Sequence, residues 1–265
     1  MISSLYSGVS GMQQFQGQLD VIGNNIANSN TLGYKSARAD FEDTFSQTLR
    51  APGSGAPGIQ VGSGVGTSSV QTSFSQGTLN QTSYSTDMAV SGNGFFVARD
   101  ATSGTELYTR SGNFHVDSAG FLATNGGLRV QGFNDSTLST RGDIKVNNSD
   151  FKVSDNGVIT DASGSVLGQF LLQTFSSPQA LHKEGGNFYS APLDAGALGG
   201  GGAAGAQAAR TNGLGRIQQN SLESSNVDLT GEFANLITSQ RGFQANAKVI
   251  TTSDEMLQEV IGLKR

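Results

Sequence analysis

The chain of 265 residues contains no cysteine, four prolines and two histidines. Without cysteine there are no disulfides, no thiolate metal sites and no cysteine nucleophile. Charge is scarce as well: Asp, Glu, Lys and Arg make up 14% of the residues, against roughly 25% in ordinary soluble domains. A polar, weakly charged surface suits a protein covered by copies of itself or by partners, and equally a low-charge extracellular domain. The net charge of −5 and pI of about 5.0 give no cationic cluster for counterion release, which excludes a nucleic-acid partner. No stretch approaches the ~18 apolar residues of a membrane span, so membrane insertion is not expected. The opening MISSLYSGVSGM has neither a basic region nor a continuous apolar run, so no secretory signal peptide is visible.

A search for chemistry returns little. His115 lies in a strand pattern and His182 in a loop, and neither joins a Ser/His/Asp order or a metal-ligand spacing. Asp40, Glu42 and Asp43 form the densest acidic group and read as a solvated face. Gly62 to Gly66 is glycine-rich but lacks the Lys-Ser/Thr of a phosphate loop. Arg141-Gly142-Asp143 spells an adhesion tripeptide and reads more simply as a turn; Asn80-Gln-Thr82 and Asn147-Asn-Ser149 match glycosylation acceptors with no further support. No catalytic residue, cofactor site or metal site is therefore expected.

What the chain does have lies at its ends. Leu5, Met12, Leu19 and Ile26 recur every seven residues, with Phe15 and Ile22 three positions after two of them. This is an a/d stripe from about Ser3 to Ala27. Near the C-terminus Leu229, Leu236, Phe243, Ile250 and Leu257 repeat at the same interval, with Phe233, Ala247 and Ile261 four positions on from that series. Ser225-x-x-Asp228 is a capping-box-like entry to this second helix. The helix could run for about 35 residues, roughly 50 Å. Each stripe could pack on its own domain core. Matching heptads at opposite ends instead favour pairing of the two termini as a coiled coil. Between Met1 and Lys35 the only charged side chain is Asp20, so the outer face of the first helix also lacks the Lys/Glu mixture of a solvated surface.

That helix closes on four asparagines, Asn24, Asn25, Asn28 and Asn30. Asparagine is a poor interior helix residue because its amide competes for backbone partners. Asn28 to Asn30 are expected to end the helix before Gly33 turns the chain. Asn24 and Asn25 are expected on the face away from the stripe, bonding a neighbouring subunit without the desolvation penalty of a charge.

The middle reads as β structure. MAVSGNGFFVARD (Met88 to Asp100) and the segment Glu106 to Phe133 are aromatic and β-branched runs cut by Gly, Asn and Asp, and a second block extends to SVLGQFLLQTF. Asp117–Gly120, Thr124–Gly127 and Asp155–Gly157 are turn signals, with Asn125-Gly126 favouring type I′. The expected fold is mixed and mainly β: a central antiparallel barrel or sandwich, with N- and C-terminal helices pairing as a coiled coil. The expected domains are an assembly helix at 1–35, an extended connector at 36–87, a β-rich domain at 88–224 and a second assembly helix at 225–265. A flexible Gly/Ala-rich loop is expected at 194–213.

Several of these segments together resemble the bacterial flagellar hook and rod axial proteins. The N-terminal signature is Asn24-Asn25-Ile26-Ala27-Asn28 followed by Gly33-Tyr34-Lys35. SNVDLTGEFANLITSQRGFQANAKVI resembles the family's C-terminal helix, and MAVSGNGFFV and YTRSGNFHVDSAGFLATNGGLRVQGF its central β motifs. The resemblance implies a helical homopolymer: the terminal helices, Leu5 to Ile26 and Leu229 to Ile261, form an inner tube layer and the β domain an outer wall. It further implies rod and hook–filament junction proteins as neighbours, a hook or rod cap during assembly, and the flagellar type III export apparatus. The C-terminal motifs are most similar to a hook protein; the length, and TLRAPGSGAPG after the first helix, are similar to a distal rod protein. The reading is a hook subunit, with a distal rod subunit as alternative. An exported adhesin using the RGD turn, and a hydrolase using His115 or His182, are the competing classes.

Overall fold

The computed structural model describes residues 2–50, 58–146, 151–198 and 205–262. They form two compact units, each discontinuous in sequence. The first is drawn from the described residues of Met1–Asn28, Ser36–Ser73 and Val227–Arg265, the second from those of Ser29–Lys35 and Phe74–Asn226.

The first unit pairs α1 (Ile2–Ala27) with α2 (Leu229–Gly262) in antiparallel fashion. At the C-terminal end of α1 the Asn28 amide donates to the Asn24 backbone oxygen at 2.9 Å and to its side-chain oxygen at 2.8 Å, capping the helix as expected. At the other helix the sequence reading is off by one motif: Asp228 is itself the N-cap, its carboxylate accepting from Thr230 N at 3.1 Å.

The expected connector is different from a linker. Strands β1 (Ala37–Asp43) and β4 (Val65–Thr72) pair antiparallel from Ala37↔Thr72 to Asp43↔Val65, and β2 (Ser46–Arg50) pairs with β3 (Ile59–Gly62). This β-hairpin lies along α1, where Val65 N donates to Ser10 Oγ at 3.4 Å and the Thr67 hydroxyl bonds Gln14. The Pro/Gly run at 51–57 lies outside the described residues.

The second unit carries β5 (Leu79–Gln81), β6 (Met88–Ser91), β7 (Phe95–Arg99), β8 (Glu106–Thr109), β9 (Phe114–Val116), β10 (Leu122–Thr124), β11 (Arg129–Phe133) and β12 (Arg141–Asp143). After these come β13 (Phe151–Val153), β14 (Val158–Asp161), β15 (Val166–Gln173), β16 (His182–Gly185), β17 (Phe188–Ser190), β18 (Gln207–Ala208), β19 (Arg216–Gln219) and β20 (Ser221–Glu223). The main sheet runs β13-β14-β15-β11-β7-β8-β17-β16, antiparallel throughout, while β19 pairs with β6 and β20 with β5.

Apolar residues fill both faces of this sheet. Phe96, Phe170 and Leu172 join Met88, Phe114, Leu122 and Ile217 in one core; Phe95, Val97 and Leu171 join Tyr108, Phe175 and Tyr189 in the other. Side chains alternate along a strand, so a strand with two buried faces must be apolar at consecutive positions. This accounts for the unbroken runs in β7 and β15.

The turns at Gly120, Gly127 and Gly157 form, with Gly127 N donating to Thr124 O at 2.8 Å. Positive φ falls on Gly127 (+79°) and not on Asn125 or Gly126, so the expected type I′ turn is replaced by one that closes on a single left-handed residue. The Gly/Ala-rich stretch is also more than a loop. Ala195, Ala206 and Ala209 are buried in the cores and β18 adds to β15, while 199–204 lie outside the described residues. The adhesion tripeptide is strand β12, where Asp143 accepts from Gln131 at 2.6 Å and Arg129 at 3.0 Å. Asn147 to Ser149 lie outside the described residues. His115 is exposed on β9, and His182, expected in a loop, is exposed on β16.

Candidate assembly interface

The two helices meet along a seam different from the one that large apolar residues suggest. A Cβ on Gly8 would lie 3.1 Å from Ile250, one on Gly11 2.7 Å from Asn246, and one on Gly242 2.5 Å from the Phe15 ring. Ser4 and Ser253 hydroxyls are 3.5 Å apart, and Asn25 donates to Glu232 at 2.9 Å. On α1 the positions that meet α2 are Ser4, Gly8, Gly11, Phe15 and Asn25, the first four of them stepping by three and four residues. On α2 the positions that meet α1 are Glu232, Gly242, Asn246, Ile250 and Ser253, and Leu236, Ser239, Phe243 and Leu257 are buried or half-buried along the same helical row. This is a heptad seam in which small and polar residues occupy much of the contact line.

Leu5, Met12, Leu19 and Ile26 therefore flank the seam and are half-buried; Phe15 lies in it, also half-buried, and Ile22 is buried. On α2, Leu236, Phe243, Ile250, Leu257 and Ala247 are half-buried. Leu229, Phe233 and Ile261 point to solvent, at 41%, 51% and 70% exposure. The structure selects the positions three after the main series, Ser239, Asn246 and Ser253, over the apolar ones four after it. A reading that follows hydrophobicity passes over serine and glycine. The signal available in the sequence was Gly8-x-x-Gly11 on one helix and Gly242 on the other, small residues that let helices approach closely.

The asparagine pair divides. Asn24 is exposed, as expected, and receives the Asn28 amide. Asn25 is 1% exposed and bonds within its own chain: its side chain donates to Ala37 O at 2.8 Å and Glu232 Oε1 at 2.9 Å and accepts from Ala37 N at 3.0 Å. One amide thus joins α1, α2 and the start of β1. Asn25→Ala should cost about 1–3 kcal/mol by orphaning buried groups, seen as a lower denaturant midpoint for loss of helical circular dichroism.

Among the described residues Ile22 is the only fully buried apolar side chain of this unit, although it spans two long helices and a hairpin. Several of its large apolar residues face outward instead. Phe233 and Ile237 lie on one flank of α2; Val249, Met256 and Val260 lie on the opposite flank in its C-terminal half; Phe45 (96% exposed), Ile59 and Val61 lie on the hairpin. A surface of this kind marks a protein-binding face.

Comparisons with known proteins match both ends of the chain and part of the β unit. A family model described as flagella basal body rod protein matches residues 5–35, and one described as flagellar basal body rod FlgEFG protein C-terminal matches 218–263. A third, flagellar hook protein FlgE/F/G D1 domain, matches 89–161 in the second unit. The chain is 42% identical over 276 residues to the flagellar basal-body rod protein FlgG of Bacillus subtilis (strain 168), with the whole of both chains covered. The chain belongs to the flagellar hook and basal-body rod protein family. It is 34% identical over 281 residues to the FlgG of Borreliella burgdorferi, again across the whole of both chains. The flagellar hook protein FlgE of Helicobacter mustelae is 44% identical over 158 residues, covering 57% of this chain and 34% of the hook protein. The expectation that hook similarity outweighs rod similarity is thus corrected: the hook likeness is local, while the rod likeness runs end to end. As a member of this family the chain is a structural component of the flagellar basal body, and its family is not one of enzymes. No helix among the described residues is long and apolar enough to cross a membrane.

Proposed function

We propose that the chain is a subunit of the distal rod of the flagellar basal body, a non-catalytic element that polymerises into a rigid tubular shaft. The observation that carries the polymer is the missing core of the helical unit. Two helices and a hairpin that, among the described residues, bury one apolar side chain fully cannot offset the entropy of ordering so long a stretch of chain. Their outward apolar rows become burial once copies pack against them. Leu5, Met12, Leu19 and Ile26 on α1, with Phe233, Ile237 and Val249 on α2, are the residues assigned to that contact, and Leu229 and Ile261 extend it at the helix ends. Copies of the chain and neighbouring axial proteins are the partners, and the type III apparatus is the exit route.

End-to-end likeness to rod proteins favours the rod over the hook, since the hook relative has about two thirds of its length without a counterpart here. Electron microscopy of basal bodies from a strain lacking this gene tests the choice. A shortened rod is the expected result; a full-length rod ending without a hook would assign the chain to the hook instead.

A further inference from the structure

Among the described residues with no solvent exposure is a lysine, Lys35, the last residue of the Gly33-Tyr34-Lys35 signature. A lysine fully out of water needs charged and hydrogen-bonded partners. Its ammonium donates to Glu223 Oε1 at 2.6 Å and to Ser75 O at 2.8 Å. The same Glu223 oxygen accepts from Gly77 N at 2.9 Å, while Oε2 faces the Arg110 guanidinium at 3.6 Å. Arg110 is 3% exposed, and the Phe95 ring centroid lies 5.1 Å from its guanidinium carbon. Two buried cations thus share one buried carboxylate. Burial lowers the Lys35 pKa, opposed by the attraction of Glu223.

Such a cluster is an odd way to stabilise a unit that already has two apolar cores, because buried ion pairs seldom improve on apolar packing. Its place along the chain is more informative. The backbone passes into and out of the second unit at 28/29, 35/36, 73/74 and 226/227. Lys35, Ser75, Gly77 and Glu223 each lie within a few residues of one of these crossings. Further ties converge on the same segments. Gly33 N donates to Glu223 O at 2.8 Å, and Asn226 donates to Ser75 O at 3.2 Å and to its hydroxyl at 3.0 Å. Asn187 holds Leu32 O at 2.7 Å, and the Lys183 ammonium sits 5.0 Å from the Tyr34 ring centroid. Gly33 has φ +68° and no space for a Cβ, which would stand 2.8 Å from Ser111 N.

The structure assigns Lys35, Glu223 and Arg110 the role of a clamp that binds together, within the second unit, the ends of all the segments crossing between the units. Displacement of one crossing segment is then passed to the others, which is what a subunit under load requires. The inference stands on the contacts of this fold and does not depend on the choice of rod or hook.

Hydrogen exchange of the purified chain, read by mass spectrometry, tests it. Lys35→Met removes one cation and leaves Glu223 to Arg110. Exchange in 29–36, 73–78 and 221–227 should accelerate roughly 100-fold, with β7, β11 and β15 unchanged. Unchanged exchange in those segments, or an equal rise in the three core strands, would overturn the clamp. If Lys35→Met does not fold, Asn226→Ala, which removes the side-chain tie to Ser75, should raise exchange in 74–78 about 10-fold with the core unaffected. No rise in that variant, or a rise shared by the core, also overturns it.

Discussion

Gly242→Leu is expected to abolish polymerisation while leaving the β unit folded. The ring of Phe15 rests against the α carbon of Gly242, and even a Cβ there would come 2.5 Å from the ring. Alanine is an indecisive test, because it gains about 1 kcal/mol of helix propensity that offsets part of the overlap. Phe15 is half-buried and can rotate away from one methyl group. Leucine cannot be accommodated by rotation alone: the helices must separate, at about 1–3 kcal/mol of overpacking. In a unit with one fully buried apolar side chain among its described residues, that is a large share of its stability. The flanking rows of α1 and α2 would then lose the mutual spacing on which a repeated contact depends, and a polymer multiplies that error at every subunit. Sedimentation and negative-stain microscopy should show monomers, with the sheet signal of circular dichroism retained. Gly17→Ala is the matched control, since a Cβ at Gly17 meets nothing within 4 Å. It should raise helix stability by up to about 1 kcal/mol. Filaments of normal length from Gly242→Leu would mean that the seam is not required for assembly.

The same seam shows where sequence reasoning reaches and where it stops. Strands β7 and β15 were legible because burial on both faces demands consecutive large apolar residues, and FFVA and FLLQ supply them. Helix limits were legible too, through heptads and through the Asn28 cap. The hairpin at 37–72 was not. None of its described residues is buried, so its strands carry no apolar alternation, and the Gly, Ser and Pro at 51–58 of the sequence mimic a linker. The facing positions of the helices were read in part: Phe15 and Ile250 lie in the contact, but glycine, serine and asparagine share it, types that hydrophobic periodicity ignores. Asn25 looked like a surface amide because its partners, Ala37 and Glu232, come from a later hairpin and the opposite end of the chain. The pair Lys35–Glu223, 188 residues apart, leaves no local trace in either segment. Hook and rod, finally, share these motifs, and only likeness over the full length separates them.

Gly112→Ala should unfold the second unit outright. Gly112 sits in the motif Tyr108-Thr-Arg-Ser-Gly-Asn-Phe114, which runs from one core to the other: Tyr108 packs on Phe175 in the first, Phe114 on Phe96 in the second. Between them Thr109 is buried with its hydroxyl on Asn187 O at 2.9 Å, and Arg110 enters the charged cluster. The segment can make this passage only by lying directly on β6. Met88 N donates to Gly112 O at 2.9 Å, and a Cβ on Gly112 would stand 1.6 Å from Met88 O. No rotamer relieves that overlap, since both parties are backbone or Cβ. Met88 itself is fully buried and paired to Gln219 of β19, so it cannot retreat without breaking a second strand pair. A loss above about 4 kcal/mol follows, a large part of the 5–15 kcal/mol by which domains are stable. The matched control is Gly126→Ala in the same unit, whose Cβ would meet Phe188 at an ordinary 3.5 Å. Thermal unfolding should separate the two variants widely, Gly126→Ala melting close to the parent and Gly112→Ala giving no cooperative transition. Similar midpoints for both would show that β6 and the 108–114 segment are not locked together as the structure describes.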